Sequence, residues 1–93
     1  MKGLAMTDIL MRTGRKTTVQ VTPNGKIVVY CRYRQDDNKL IVCYLNDKEY
    51  WDVYIVPGEN FDFDSEIKDY NYAIQIGHNM PAVKIKEVVL NNI

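Results

Sequence analysis

Ninety-three residues carry twelve basic and twelve acidic side chains, a formal net charge of zero, with 46% hydrophobic and 26% charged residues. That is the length of one domain, and the balance excludes both a disordered chain and one drawn by its overall field to nucleic acid or anionic membrane. No apolar run approaches the ~20 residues that span a bilayer, and Asp8 interrupts the opening before a signal-peptide core develops. The expectation is a cytoplasmic protein without membrane contact, whose two cysteines, Cys31 and Cys43, are reduced thiols.

In chain order, Met6 to Gly14 reads as a short helix over about 7–13. Thr7 caps its free amides, Asp8 sits against the positive end of the dipole, and Gly14 stops it. Met6 and Met11 are spaced as a hydrophobic staple, with Ile9 and Leu10 as the apolar stripe. The period then changes to two. Thr17, Val19 and Val21 alternate with Thr18, Gln20 and Thr22 in a strand over about 16–22, and Asn24-Gly25 predicts a two-residue type I′ turn. The return strand, 26–34, places Ile27, Val29, Cys31 and Tyr33 on one face and Val28, Tyr30, Arg32 and Arg34 on the other.

Lys39 to Leu45 is apolar on both faces and predicts the central strand, which needs a second layer, a barrel wall or another subunit to cover it. A three-residue turn before it would pair Arg34 with Leu40, Tyr30 with Tyr44 and Cys31 with Cys43, putting both thiols on the core face. Asn46 to Glu49 turns the chain into a strand over 50–56, with Trp51, Val53 and Ile55 on the drier face and Tyr50, Asp52 and Tyr54 opposite. An acidic excursion, 58–69, contains Phe61, Asp62, Phe63 and Asp64 and reads as an exposed interaction loop. Two further strands are expected: 70–77, with Tyr72, Ile74 and Ile76 inward, and 82–90, with Val83 and Ile85 inward and a change of phase at Glu87 that suggests a bulge.

The tests for chemistry return little. Asn60, Asp62, Asp64 and Glu66 alternate as calcium ligands do, but Ser65 stands where the calcium loop requires glycine and Asn71 where it requires a bidentate glutamate. A solvated loop without metal is the better reading. His78, the one histidine, reads as a turn residue. The cysteines lack an electropositive setting and read as small hydrophobes. Gly14-Arg15-Lys16 follows a helix and lacks the phosphate-loop pattern.

The tyrosines stand out: seven in all, several interleaved with charge, as in Tyr30-Cys31-Arg32-Tyr33-Arg34. Tyr30, Arg32, Arg34, Tyr44 and Tyr54 are the candidate binding residues, since aromatics and arginines on a sheet suit a protein interface and also the stacking of bases.

A short helix followed by Gly14 to Lys26 and long strands resembles the opening of Sm-like and other SH3-like small barrels. The likeness covers about the first half of the chain and implies a barrel-like topology. It does not extend to that family's RNA-binding residues: Asp36-Asp37-Asn38 lacks the wider aspartate-to-asparagine spacing, and Val83-Lys84-Ile85-Lys86 stands where an Arg-Gly pair belongs.

Together these features predict a single mostly-β domain, an antiparallel six-strand meander curled into a barrel or a strongly twisted sheet, with a short N-terminal helix. The expected role is non-enzymatic and needs no cofactor: an accessory or inhibitor protein, of the kind phages encode, that forms a homodimer and occludes a larger protein partner. The alternative is a small barrel that binds single-stranded nucleic acid or a nucleotide through the Tyr/Arg strand face.

Overall fold

Period-two alternation from Thr18 onward builds one antiparallel sheet, seen in a computed structural model that describes residues 2–57 and 73–93, with side chains from residue 6. The elements are α1 (Lys2–Met11), β1 (Thr18–Val21), β2 (Ile27–Tyr33), β3 (Asp36–Leu45), β4 (Trp51–Pro57), β5 (Ile74–Met80), a 3-10 turn (Ala82–Lys84) and α2 (Ile85–Asn92). The acidic loop, with Phe61, Asp62, Phe63 and Asp64, and the expected strand start at Tyr70 to Tyr72 lie outside the described residues.

The strands neighbour one another in sequence order from β1 to β5, and β1 does not pair with β5. Among the described residues the sheet is therefore open, with five strands, where the sequence predicted six in a barrel-like or twisted sheet. The missing sixth strand is helical. Ile85 and Val89 repeat at four residues and are buried, while Val83, expected to face inward, is exposed. The change of phase at Glu87 is thus a helical period and not a strand bulge.

Both helices lie on one face of the sheet, α1 against β1 and β2, α2 against β5, and they touch each other. Met6 and Leu10 from α1 and Ile85 and Val89 from α2 meet Val29 and Cys31 of β2, Ile41 and Cys43 of β3, and Trp51 and Val53 of β4. Each such aliphatic side chain contributes about 1.5–3 kcal/mol on burial. On the opposite face a smaller apolar cluster forms from Val28, Leu40, Val42 and Val56, with Tyr30, Tyr44 and Ala73 packed against it. Leu40 to Leu45 is thus apolar on both sides because each face belongs to a separate cluster.

The first helix begins earlier than its sequence signals suggest, at Lys2, and Thr7 lies inside it instead of capping it. Met6 is buried and Met11 exposed, so they form no staple. The end falls close to its expected place. The amides of Thr13 and Gly14 both donate to the Leu10 carbonyl, at 3.0 and 2.8 Å, and the Thr13 hydroxyl adds a third bond at 3.1 Å.

The β1–β2 hairpin forms, but not through a type I′ turn. Gly25 N–H donates to the Thr22 carbonyl at 2.9 Å, Gly25 has φ +84°, and Asn24 is outside the positive-φ region. Pro23 at the second position of a type I turn, followed by glycine in the left-handed region, gives a three-residue loop. Asp47, Lys48 and Glu49 repeat this loop between β3 and β4, with Glu49 at φ +64°. There Asn46 Oδ1 accepts from the amides of Lys48 and Tyr50, at 3.0 and 3.1 Å, much as Thr22 Oγ1 accepts from Lys26 in the first loop, at 3.0 Å.

Between β2 and β3 the expected register is off by two residues. Tyr33 pairs with Asp36, and the next pair is Arg32 with Leu40, so three residues of β3 loop out. Cys31 faces Ile41 and Cys43 faces Val29. A shift of two keeps every side chain on its face, so both thiols are in the core as expected but are not directly opposite.

Burial pushes the Cys31 thiol up to about 11, opposed by a hydrogen bond from Thr17, and pushes the Cys43 thiol up further, with the nearby Cys31 adding to it. A raised folded-state value holds the proton in the fold, so this contribution is full below about pH 9, where the unfolded thiol begins to ionise, and is lost as pH rises toward 11. For Cys31 the loss is on the order of 2–3 kcal/mol. Urea unfolding at pH 8 and at pH 10.5 should show wild type losing more stability than Cys31→Ala. Equal losses would mean that the folded thiol ionises freely.

Candidate interaction surface

The even-numbered positions of β2, β3 and β4 bring Tyr30, Arg32, Tyr44 and Tyr54 to the sheet face away from the helices, as the sequence pattern implies. Tyr44 and Tyr54 pack edge to face, with ring centroids 5.9 Å apart. Tyr30 and Tyr44 lie against Val28, Leu40, Val42 and Val56, and the two valines Val28 and Val42 are completely buried. The rings therefore serve as cover for this second cluster. Burial raises the Tyr54 hydroxyl above its ordinary value, and the neighbouring Asp52 carboxylate raises it further. Arg32 donates from Nη1 to the Asp37 carbonyl at 3.0 Å, which ties β2 to the looped-out start of β3.

Arg34 does not join this group. The tight turn after Tyr33 sends it toward the helical layer, where Nη2 donates to the Met11 carbonyl at 2.6 Å and to the Gly14 carbonyl at 3.3 Å. A guanidinium at the negative end of α1 satisfies carbonyls left without intrahelical partners. Arg15 pairs with Asp37 at 2.8 Å, with both side chains more than half exposed, so the pair adds little stability.

At the far end of the sheet, Asp52 Oδ1 lies 2.8 Å from His78 Nδ1 and accepts from the Asn79 amide at 3.1 Å. Asn46 also donates to the Asn79 side chain, so the β3–β4 loop, β4 and an irregular stretch of β5 are tied together. Asn79 has φ +50°, a conformation that asparagine tolerates better than most residues. Among the described residues no third His, Cys, Asp or Glu joins this pair in a metal-binding group. Its evident role is to hold the sheet irregularity.

The outer surface of the helical layer was not legible as a site in the sequence. Asp8 and Met11 from α1, Arg12 just past its end, Arg34 beyond β2 and Lys86 from α2 line an open cleft of about 510 Å³. Beside it, Val83 and Leu90 are seven residues apart with Lys86 between them, which places all three along one flank of the C-terminal helical segment. Val83 is 82% exposed, Met11 53% and Leu90 46%. Reading 82–90 as a strand hid this row, because a strand would have put Val83 inside.

Among the described residues no helix is long and apolar enough to cross a membrane. No protein family, curated protein or solved structure matches this chain.

Proposed function

We propose that this chain is a non-catalytic interaction module that binds and occludes a larger protein partner through the outer surface of its helical layer. The observation that carries this reading is the exposed pair Val83 and Leu90 flanking Lys86, which itself lines a cleft with Met11, Arg12 and Arg34. Single exposed apolar residues are ordinary on a soluble surface, whereas apolar side chains grouped with methionine and arginine match the composition of protein interfaces.

The nucleic-acid alternative gains less support. A phosphate-holding platform needs guanidiniums available to the ligand, but Arg32 and Arg34 donate to backbone carbonyls and Arg15 faces Asp37. The tyrosines proposed for stacking bases pack on the second apolar cluster. The reading also includes a twofold homodimer, for which the edges of β1 and β5 offer backbone groups that no strand among the described residues pairs.

The test is affinity capture from the source cells with wild type and with the double variant Val83→Asp, Leu90→Asp, each checked for native circular dichroism. One protein should copurify in stoichiometric amount with wild type and be lost with the variant. Recovery of the same proteins by both, or of none by wild type, would remove the reading.

A further inference from the structure

We infer that the cleft between α1 and α2 receives the carboxylates of an acidic, amphipathic segment of the partner protein, with Arg12 and Lys86 as its charge contacts. This rests on the helical-layer reading above and adds the chemistry of the partner.

Among the described residues three cations and one carboxylate line the cleft, in a chain whose total charge is zero. The local excess of positive charge is therefore a feature of this site and not of the protein as a whole. Like charges brought together repel, so a cleft of this composition favours an anionic occupant. The three cations differ in their bonding. Arg34 is committed to the carbonyls of Met11 and Gly14, which fixes its position at the cleft wall. The side chains of Arg12 and Lys86 have no hydrogen bond or ion pair with any of the described residues. Both are exposed, Arg12 just past the end of α1 and Lys86 in α2, so an extended ligand laid across the layer meets both.

Two features favour a peptide over a phosphodiester. The first is Asp8, also in the cleft lining and also without a partner among the described residues. A carboxylate there repels any anion, but it accepts a hydrogen bond from a peptide N–H, a donor that a phosphodiester linkage lacks. The second is the apolar border. Met11 lies in the lining itself, and Val83 and Leu90 flank Lys86, so a segment that alternates acidic and aliphatic side chains satisfies both parts of the surface. Among the described residues no aromatic side chain lines the cleft, so they offer no stacking platform for bases. At about 510 Å³ the cleft has room for a few side chains and not for a folded element.

The experiment uses the full chain and three fluorescein-labelled probes: a peptide rich in Glu and Leu, its counterpart with Gln for every Glu, and a single-stranded oligonucleotide. Fluorescence anisotropy at physiological salt should show saturable binding of the Glu peptide, weakened about tenfold or more in the Gln peptide. The double variant Arg12→Glu, Lys86→Glu should lose binding to a similar extent, and added salt should weaken it further. Neither side chain is buried or bonded among the described residues, so the variant keeps its packing; Arg34 is left intact because it caps α1.

Equal affinity for the Glu and Gln peptides, binding unchanged in the double variant, or no binding of the Glu peptide would each overturn the inference. So would tighter binding of the oligonucleotide through the same two residues. The outcome also separates this inference from the broader one. If the captured partner is lost with Val83→Asp, Leu90→Asp but retained with Arg12→Glu, Lys86→Glu, the cleft has no part in binding while the interaction module stands.

Discussion

Gly14→Ala is expected to destabilise the protein by about 3 kcal/mol, at the upper end of the usual range for overpacking. The cause is space and not backbone conformation, because Gly14 does not adopt the left-handed φ that Gly25 does. A Cβ at position 14 would lie 2.1 Å from Cys31 Sγ and 2.8 Å from the Arg32 carbonyl oxygen. The surrounding backbone is fixed from both sides. Gly14 N–H donates to Leu10 at 2.8 Å, Arg15 N–H donates to that same Arg32 carbonyl at 2.8 Å, and Arg34 N–H donates to Thr13 at 3.2 Å. Moving the turn away from β2 lengthens these bonds together, whereas Cys31 can relieve only its own part of the clash. Cys31→Ala in the Gly14→Ala background should therefore recover part of the loss and leave the part due to the carbonyl. Urea denaturation of the four proteins gives the coupling by a double-mutant cycle. A Gly14→Ala stability within about 0.5 kcal/mol of wild type would show that the helix-to-sheet turn is free to shift.

This contact also shows what the sequence can and cannot convey. Gly14 reads correctly as the end of the first helix, but its closeness to Cys31 depends on how the turn crosses β2, which no local pattern encodes. The central strand, apolar on both faces, correctly implied cover on both sides, and the meander order followed from the run of strands and turns. Register was harder to read. A slip of two residues preserves each face, so the alternation that assigned Cys31 and Cys43 to the core had no power to choose their partners. Asn24-Gly25 marked a hairpin, but Pro23 before it favoured a type I turn with Gly25 in the left-handed position, and the loop followed the proline.

The candidate site was legible in part for the same reasons. Alternation placed Tyr30, Arg32, Tyr44 and Tyr54 on one face, but only packing shows that Tyr30 and Tyr44 cover a second apolar cluster. Arg34 shares their parity and was lost to the turn that follows Tyr33. The Asp52–His78 contact joins residues far apart in sequence, and nothing in either neighbourhood announces it. Arg12 and Lys86 meet at one cleft only because the C-terminal segment is helical.

That helical assignment leads to a large and discriminating effect: Ile85→Ala should cost about 2–5 kcal/mol, whereas Val83→Ala should change stability by no more than about 0.5 kcal/mol. Residues two apart share a face in a strand, so a strand over 82–90 would bury both and make both truncations costly. In the helical segment they point in different directions. Ile85 is completely buried among Met6, Leu10 and the sheet, while Val83 is 82% exposed. Truncating Ile85 removes buried methyl groups where the two helices meet the sheet, and the cavity left there adds to the lost transfer energy. Truncating Val83 removes methyl groups already in water, and alanine is the better helix former, which offsets any small loss. Urea unfolding of the two single variants beside wild type reads the difference directly. Comparable losses at both positions would restore the sixth strand and remove the exposed row of Val83, Lys86 and Leu90, and with it the surface on which partner binding is proposed.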